Sequence, residues 1–158
     1  MRGTTPTRFP EVVGTSLSGI RHRLPGTLAG ERNLLLMAFR QWQQRDVDTW
    51  LRVAARLEAE FAGFRVYELP VISRVYRPAA RFIDGGMRAG IPDSDVRDST
   101  ITLYLDRHQF LADLGITSVR SIVPMLVTRT GDILWRTRGP LTAHAEKTLG
   151  EVLARPPQ

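Results

Sequence analysis

The segment 33-NLLLMAFRQWQQRD-46 decides which fold this chain can adopt. Its apolar part, Leu34 to Phe39, has the length and composition of a parallel strand that is buried on both faces. The chain then passes through Gln41 and Trp42 into a helical pattern that begins near Gln43. A buried strand that turns directly into a helix is typical of α/β domains, in which helices cover both faces of a sheet.

The helical pattern continues beyond this corner, from Asp46 to Phe61. Apolar side chains recur there at spacings of three and four, as they do on one face of an amphipathic helix. Gly63 is expected to end this helix, and a second strand is predicted at Phe64 to Leu69. Pro70 is expected to end that strand, because proline has no N–H to donate to a neighbouring strand.

The rest of the chain adds further strands and helices. The predicted elements are an opening pair of extended segments at Phe9 to Val13 and Gly19 to Leu24, a strand at Thr100 to Leu105, a helix at Arg107 to Leu114 with Asp106 as its N-cap, a hairpin of Ile122 to Thr128 and Ile133 to Thr137 around Gly131-Asp132, and a closing helix at Thr142 to Leu153. This order predicts one domain over residues 1–158, with a core at about 9–153, frayed termini and an insertion between strands at 70–99. The sheet is expected to be mixed, with helices on both faces.

The composition is that of a soluble domain of ordinary size. The chain has 158 residues, of which 42% are apolar, and no apolar run approaches the ~20 residues of a membrane span. The first ten residues, MRGTTPTRFP, lack the apolar core of a secretory signal. We therefore expect a cytoplasmic protein, with peripheral attachment to a membrane as a further candidate location.

Arginine supplies nearly all of the positive charge. Among 22 lysines and arginines the single lysine is Lys147, and the formal net charge is +6. A focused arginine patch would indicate an anionic partner, because guanidinium binds carboxylates and phosphates in a planar, bidentate manner. The arginines are scattered instead, which favours arginine-rich codon usage and surface ion pairs. No basic stripe interleaved with aromatic residues is present, so we expect no nucleic-acid partner.

Several short segments, in order, resemble the peroxiredoxins and thiol-disulfide reductases of the thioredoxin superfamily. They are FPEVVGTSLSG, LPGTLAG, NLLLMAF, TLYLD, ADLGI, VPMLVTRTGDILWR and the final Gly139. The resemblance implies a thioredoxin-like three-layer sandwich. It places Trp42 on the tryptophan of a Trp-Cys-x-x-Cys corner, Gln43 and Asp46 on its two cysteines, Pro124 on the cis-proline and Asp106 on the aspartate after the third strand.

A narrower set of segments is similar to cysteine-poor bacterial proteins related to the mitochondrial assembly chaperone for subunit a of ATP synthase. These segments are QWQQRDVDTW, YELPVISRVYRPAARFIDGGMRAGIPD and TITLYLDRHQFLADLGI. The likeness implies a thioredoxin-like module that binds a newly made membrane subunit without electron transfer. It therefore predicts a protein client, with a subunit of a membrane complex as the candidate.

The chain contains no cysteine, so none of its residues can perform thiol chemistry. The corner can still bind a partner through Trp42, Gln43, Gln44 and Asp46, because the start of a helix offers unpaired N–H groups and partial positive charge. Asp46 can instead satisfy those N–H groups internally as a helix cap. Pro124 is the second part of this degenerate redox corner, since in the family its loop exposes backbone for strand-like pairing with a bound peptide.

A second candidate surface lies in the segment from Ser73 to Gly90. Arg74, Arg77, Arg81 and Arg88 would form one basic row if the segment were a continuous helix, and would then face an acidic membrane surface or an acidic partner. Pro78 and Gly85-Gly86 argue against a continuous helix. The alternative is a solvated face beside core aromatics.

No other motif indicates an active site. The three histidines lie in separate elements without a metal-binding spacing, and neither GxSxG nor a phosphate-binding loop occurs. We therefore predict no catalytic residue, no metal and no cofactor. The favoured function is a non-catalytic, chaperone-like assembly or binding module. The alternatives are a peroxiredoxin-like enzyme with non-thiol activity and a binder of anionic surfaces; the oligomeric state stays open.

Overall fold

A computed structural model describes residues 5–73 and 99–156 of the chain. The strands are β1 (Val12–Ser16), β2 (Arg21–Leu24), β3 (Arg32–Ala38), β4 (Phe64–Ser73), β5 (Ile101–Leu105), β6 (Val123–Thr128) and β7 (Ile133–Arg136). The helices are α1 (Gln44–Glu60), α2 (Arg107–Asp113) and α3 (Ala143–Leu153), and a 3₁₀ turn, Gln41–Gln43, precedes α1. No helix within these two ranges is long and apolar enough to cross a membrane.

The seven strands form one sheet in the order β2-β1-β5-β4-β3-β6-β7. The central strands β5, β4 and β3 are parallel, and the outer pairings on both sides are antiparallel. The predicted mixed sheet and the closing hairpin of β6 and β7 are thereby confirmed. The two opening segments also pair, as β1 and β2, but the first strand is Val12–Ser16, where Phe9 to Val13 was predicted. Gly131, with φ of +98°, provides the left-handed conformation that the β6–β7 turn requires.

The buried strands have apolar side chains on both faces, so the sheet lies between two cores. Leu35 and Met37 point into one core with Phe110 of α2. Leu34 and Leu36 point into the other core, against α1 and α3. Because side chains alternate along a strand, the single run at 34–37 supplies both cores, which explains why it is apolar without interruption.

The prediction that Pro70 ends the second strand is wrong. β4 continues through Pro70 to Ser73, and Pro70 is aligned with Ala38, the last residue of β3. The Glu68 N–H donates to the Ser99 carbonyl, so the missing N–H of Pro70, two residues later, also faces β5. It falls in the interruption between the Glu68–Thr100 bridge and the Val71–Leu103 pair, where proline breaks no continuous ladder. Of the expected insertion at 70–99, residues 70–73 thus belong to β4. Residues 74–98, including Arg74, Arg77, Arg81 and Arg88, lie outside the described ranges.

The segment before β1 pairs with the opposite edge of the sheet. The Phe9 N–H donates to the Gly131 carbonyl at 2.7 Å, and the Ile133 N–H donates to the Thr7 carbonyl at 2.9 Å. Phe9 is buried and packs edge-on against Phe110, with 5.8 Å between ring centroids. This segment therefore covers part of β7, whose backbone would otherwise be an open sheet edge.

Candidate functional site

The predicted corner lies at the carboxyl end of β3, where the chain enters the 3₁₀ turn and then α1. Trp42, in the middle of that turn, is the most exposed large apolar side chain in the described ranges, with 57% of its surface accessible. Arg40 beside it is also exposed and forms no ion pair within those ranges. The outer surface of the corner is therefore an indole next to a guanidinium.

Gln43, which the resemblance places on the first redox cysteine, is fully buried. Its amide oxygen accepts hydrogen bonds from the N–H groups of Phe39, at 2.8 Å, and Arg40, at 3.2 Å. Its amide nitrogen donates to the Val119 carbonyl at 2.7 Å. The side chain thus joins the corner to the loop before β6 and is not accessible to a partner in this conformation.

Gln44 is exposed, and its side chain also faces other residues of the chain. Its amide nitrogen donates to Glu68 Oε1 at 2.8 Å and to Asp48 Oδ1 at 3.0 Å. Glu68 is buried in β4, where the Thr100 hydroxyl donates to its second carboxylate oxygen at 2.9 Å. Sequence reasoning did not select Glu68, although a lone acid within the apolar strand segment Tyr67 to Val71 is the signal that would have found it.

Asp46, on the second cysteine position, lies in the first turn of α1. Its carboxylate interacts favourably with the positive end of the helix dipole. No side chain forms a capping hydrogen bond at the start of this helix. The alternative reading of Asp46 as a side-chain cap is therefore not observed. Its backbone carbonyl accepts a hydrogen bond from the Thr49 hydroxyl at 2.6 Å, and that hydroxyl in turn accepts from the Leu141 N–H at 2.9 Å.

Pro124 differs in one respect from the proline on which the resemblance places it. Among the described residues the only cis peptide bond is Leu24-Pro25, so the Val123-Pro124 bond is not cis. Pro124 is buried within β6, and the structure aligns it with Leu36. Its carbonyl accepts from the Thr137 N–H at 3.0 Å. The neighbouring strands therefore occupy this stretch, whereas the resemblance predicted an open loop.

Other contacts tie the corner to its surroundings. The buried Trp50 of α1 donates its indole N–H to the Gly139 carbonyl at 3.1 Å. Arg107, next to the N-cap Asp106, donates to the Phe39 carbonyl at 3.3 Å. Asp106 accepts from the Gln109 N–H at 3.2 Å, which confirms it as the N-cap of α2. The described ranges contain no group of three or more metal-ligating side chains.

The structure therefore brings Trp42, Gln43, Gln44 and Asp46 together at one end of the sheet, but only part of this set faces solvent. Trp42 is outward, Gln43 is internal, and Gln44 is committed to two carboxylates. The exposed part of the corner can recognise a partner through the aromatic ring of Trp42 and the cation of Arg40. Neither a nucleophile nor a paired acid and base is assembled there within the described ranges.

No protein-family model and no curated protein matches this chain. Solved structures do match it along nearly its whole length. A protein from Aquifex aeolicus VF5, provisionally described as an electron transfer protein, superimposes with a TM-score of 0.67 at 15% identity, covering 96% of this chain and 99% of that one. The TM-score is 0.63 for BsSco, a member of the Sco family of cytochrome c oxidase assembly proteins, at 15% identity over 96% of this chain and 95% of that one.

The thioredoxin domain of a thiol-disulfide oxidoreductase from Bacteroides vulgatus is a third match. Its TM-score is 0.60 at 16% identity, and the match covers 98% of this chain and 100% of that domain. At such identities the likeness defines the architecture and leaves the activity open. The chain has a thioredoxin-like fold.

Proposed function

We propose that this chain is a non-redox, thioredoxin-like binding module that holds a protein client on the exposed corner formed by Arg40, Gln41 and Trp42. The observation that carries this proposal is the exposure of Trp42, 57% of whose surface faces solvent beside internally bonded neighbours. Aromatic and arginine side chains dominate the energetics of protein interfaces, because each offers a large contact area and directed polar groups. Without cysteine, the chain has no thiol to exchange with a client.

The corner suits a client segment that is apolar and carries an acidic side chain. The indole of Trp42 would cover the apolar part. The guanidinium of Arg40, which has no ion pair within the described ranges, would bind a carboxylate. The proposed client class is a subunit of a membrane complex, held during assembly at the cytoplasmic face. Two likenesses support this narrower proposal: that of three segments to assembly-chaperone relatives, and that of the fold to BsSco, whose family is described as assembling cytochrome c oxidase.

Crosslinking from position 42 tests the proposal directly. A photoreactive residue replaces Trp42 in one variant and Ile20 in a matched control, because Ile20 is a similarly exposed apolar residue on the β1–β2 turn. We expect one membrane-complex subunit to be captured from position 42 and not from position 20. The same products from both positions, or only abundant unrelated proteins, would contradict the proposal.

Binding of the captured client by purified protein completes the test. Trp42→Ala should weaken binding at least about tenfold, as truncation of a central interface aromatic does, while Ile20→Ala leaves it unchanged. Circular dichroism should show the same fold for both variants. Turnover of peroxide or insulin by the pure protein would instead support the enzyme alternative with non-thiol activity.

A further inference from the structure

A pocket that Trp42 does not line lies between the loop after α2 and the end of β7. It has a volume of about 430 Å³ and is lined by Gly115, Ile116, Thr117, Val123, Arg136, Thr137 and Arg138. A cavity of this size is in the range that holds small ligands. The lining combines the apolar residues Ile116 and Val123 with two threonines and two arginines.

Arg136 is one of the two charged residues that line this pocket. One of its terminal nitrogens donates to the Leu114 carbonyl at 2.8 Å, and the other lies 3.9 Å from the sulfur of Met125. Its Nε is buried and finds no hydrogen-bond partner in the described part of the chain. A guanidinium has five N–H donors, so several of them make no hydrogen bond within the described ranges.

Neither arginine of the pocket has a counterion among the residues that the structure describes. The ion pairs of the described ranges involve Arg8, Arg23 and Arg56, and neither Arg136 nor Arg138 takes part in one. Burial lowers the pKa of the Arg136 guanidinium, which is the direction expected of a cation that lacks a partner. A half-buried, unpaired cation costs free energy that a bound anion would return.

We propose that this pocket binds a small organic carboxylate, with Arg136 and Arg138 holding the carboxylate and Ile116 and Val123 contacting a short aliphatic body. Guanidinium matches the planar geometry of a carboxylate and forms charge-assisted hydrogen bonds to it. The apolar side of the pocket distinguishes this ligand class from inorganic phosphate, which has no surface to bury there. The site is independent of the proposed client surface, since neither Arg40 nor Trp42 lines it.

Titration of the purified full chain with hexanoate, acetate and inorganic phosphate at low ionic strength tests this site, with backbone amide shifts as the readout. We expect saturable hexanoate binding that moves the amide signals of Ile116, Arg136 and Thr137. Hexanoate should bind at least about tenfold more tightly than acetate, because its methylene groups leave water. Phosphate that binds as tightly as hexanoate, or hexanoate that does not saturate, overturns the proposal.

Charge-removing variants locate the binding. Arg136→Gln and Arg138→Gln should each weaken hexanoate binding about tenfold, in line with the loss of one charge-assisted contact. Arg138 is exposed, so its variant keeps the test valid if Arg136→Gln fails to fold. The control is Arg129→Gln, an exposed arginine at the other end of the β6–β7 hairpin, which should bind normally.

The results separate this site from a general effect of charge. Equal weakening in Arg129→Gln, or undiminished binding in both pocket variants, would overturn the assignment. Trp42→Ala should retain full hexanoate binding whether or not client capture is lost. Failure of the client proposal and failure of the carboxylate site are therefore observed in different measurements.

Discussion

At the scale of single residues, the position that the resemblance assigns to a redox cysteine is occupied by a buried glutamine, Gln43. The sequence establishes that thiol chemistry is impossible, and the resemblance places Gln43 where a redox cysteine would be. The sequence could not show that the Gln43 amide is buried, because the partner of that amide, Val119, lies 76 residues away along the chain. A side chain expected at a binding surface is instead a link between two loops, and the exposed role falls to Trp42.

Replacing Gln43 with alanine should destabilise the protein by about 2–3 kcal/mol, because the Phe39 N–H and the Val119 carbonyl lose a partner away from water. Urea unfolding measures the change in the free energy of unfolding. Gln41→Ala, at an exposed position of the same turn, should stay within about 0.5 kcal/mol of the parent. Equal effects of the two substitutions would show that the Gln43 hydrogen bonds contribute little.

Single introduced cysteines report the accessibility of the corner without background, since the chain has none of its own. Trp42→Cys should react with Ellman's reagent nearly as fast as a free thiol. Gln43→Cys should react at least roughly a hundredfold more slowly, because reaction requires local opening of a fully buried position. Similar rates at the two positions would contradict the burial of residue 43.

At the scale of elements, periodicity predicted most helices and strands to within a residue or two. The effect of Pro70 was predicted wrongly, because whether a proline ends a strand depends on which neighbouring strand its missing N–H faces and whether the pairing is continuous there. The sequence also could not predict that Arg32 binds the end of α3. Arg32 is buried in β3, and its guanidinium donates to the carbonyls of Val152, Leu153 and Arg155 at 2.9 to 3.3 Å, at the end of α3.

Arg32→Met should lower the free energy of unfolding by about 2–3 kcal/mol, because three terminal carbonyls lose a charged donor that also complements the helix dipole. Arg32→Lys should recover only part of this loss, since an ammonium cannot reach the three carbonyls with the same planar geometry. Thermal unfolding measures both variants. The control, Arg52→Met on the exposed face of α1, should leave the free energy of unfolding nearly unchanged. A similar loss in this variant would show that the hydrogen bonds of Arg32 are not the cause.

The Glu58 carboxyl, on α1, should make the free energy of unfolding depend on pH. Burial raises the pKa of the Glu58 carboxyl above its ordinary value of 4.5, and the charge of Arg65 and a backbone hydrogen bond from Val66 only partly oppose this. The folded state then holds the proton more tightly than the unfolded state. The contribution of Glu58 to stability is full below pH 4.5 and is lost as the pH rises through the raised pKa.

Glu58→Gln should therefore be more stable, relative to the parent, at neutral pH than below pH 4.5. Urea unfolding across this range measures the difference between the two proteins. Glu60→Gln, at an exposed position two residues away, is the matched control and should show a smaller pH-dependent difference. A parent that gains on the Glu58 variant as the pH rises would reverse the assigned direction of the pKa shift.

At the scale of the whole molecule, the alternation of strands and helices was sufficient to predict a mixed sheet covered on both faces. It could not predict that β1 lies beside β5, or that residues 7–9 reach β7. Both are contacts between distant parts of the chain, and neither is encoded in a local period. For the same reason, the scattered arginines gave no sign in the sequence that Arg136 and Arg138 line one pocket.

The contact between Phe9 and α2 should be a substantial part of global stability. Phe9→Ala is expected to cost about 3 kcal/mol, because it removes a buried ring packed edge-on against Phe110. Chemical unfolding measures this loss. Trp42→Ala, which removes a larger but exposed ring, should cost less than about 1 kcal/mol. A comparable loss from both would mean that burial of Phe9 is not what stabilises the fold.

The pairing of residues 7–9 with β7 also bears on the order in which the protein folds. Residues 7 to 16 leave the ribosome before every partner they have in β5 and in the β6–β7 hairpin. Closing such long loops costs entropy that the local hairpin of β1 and β2 cannot offset alone. Most of the chain must therefore be synthesised before its opening segment reaches its final place, and until then Phe9 cannot bury its ring against Phe110.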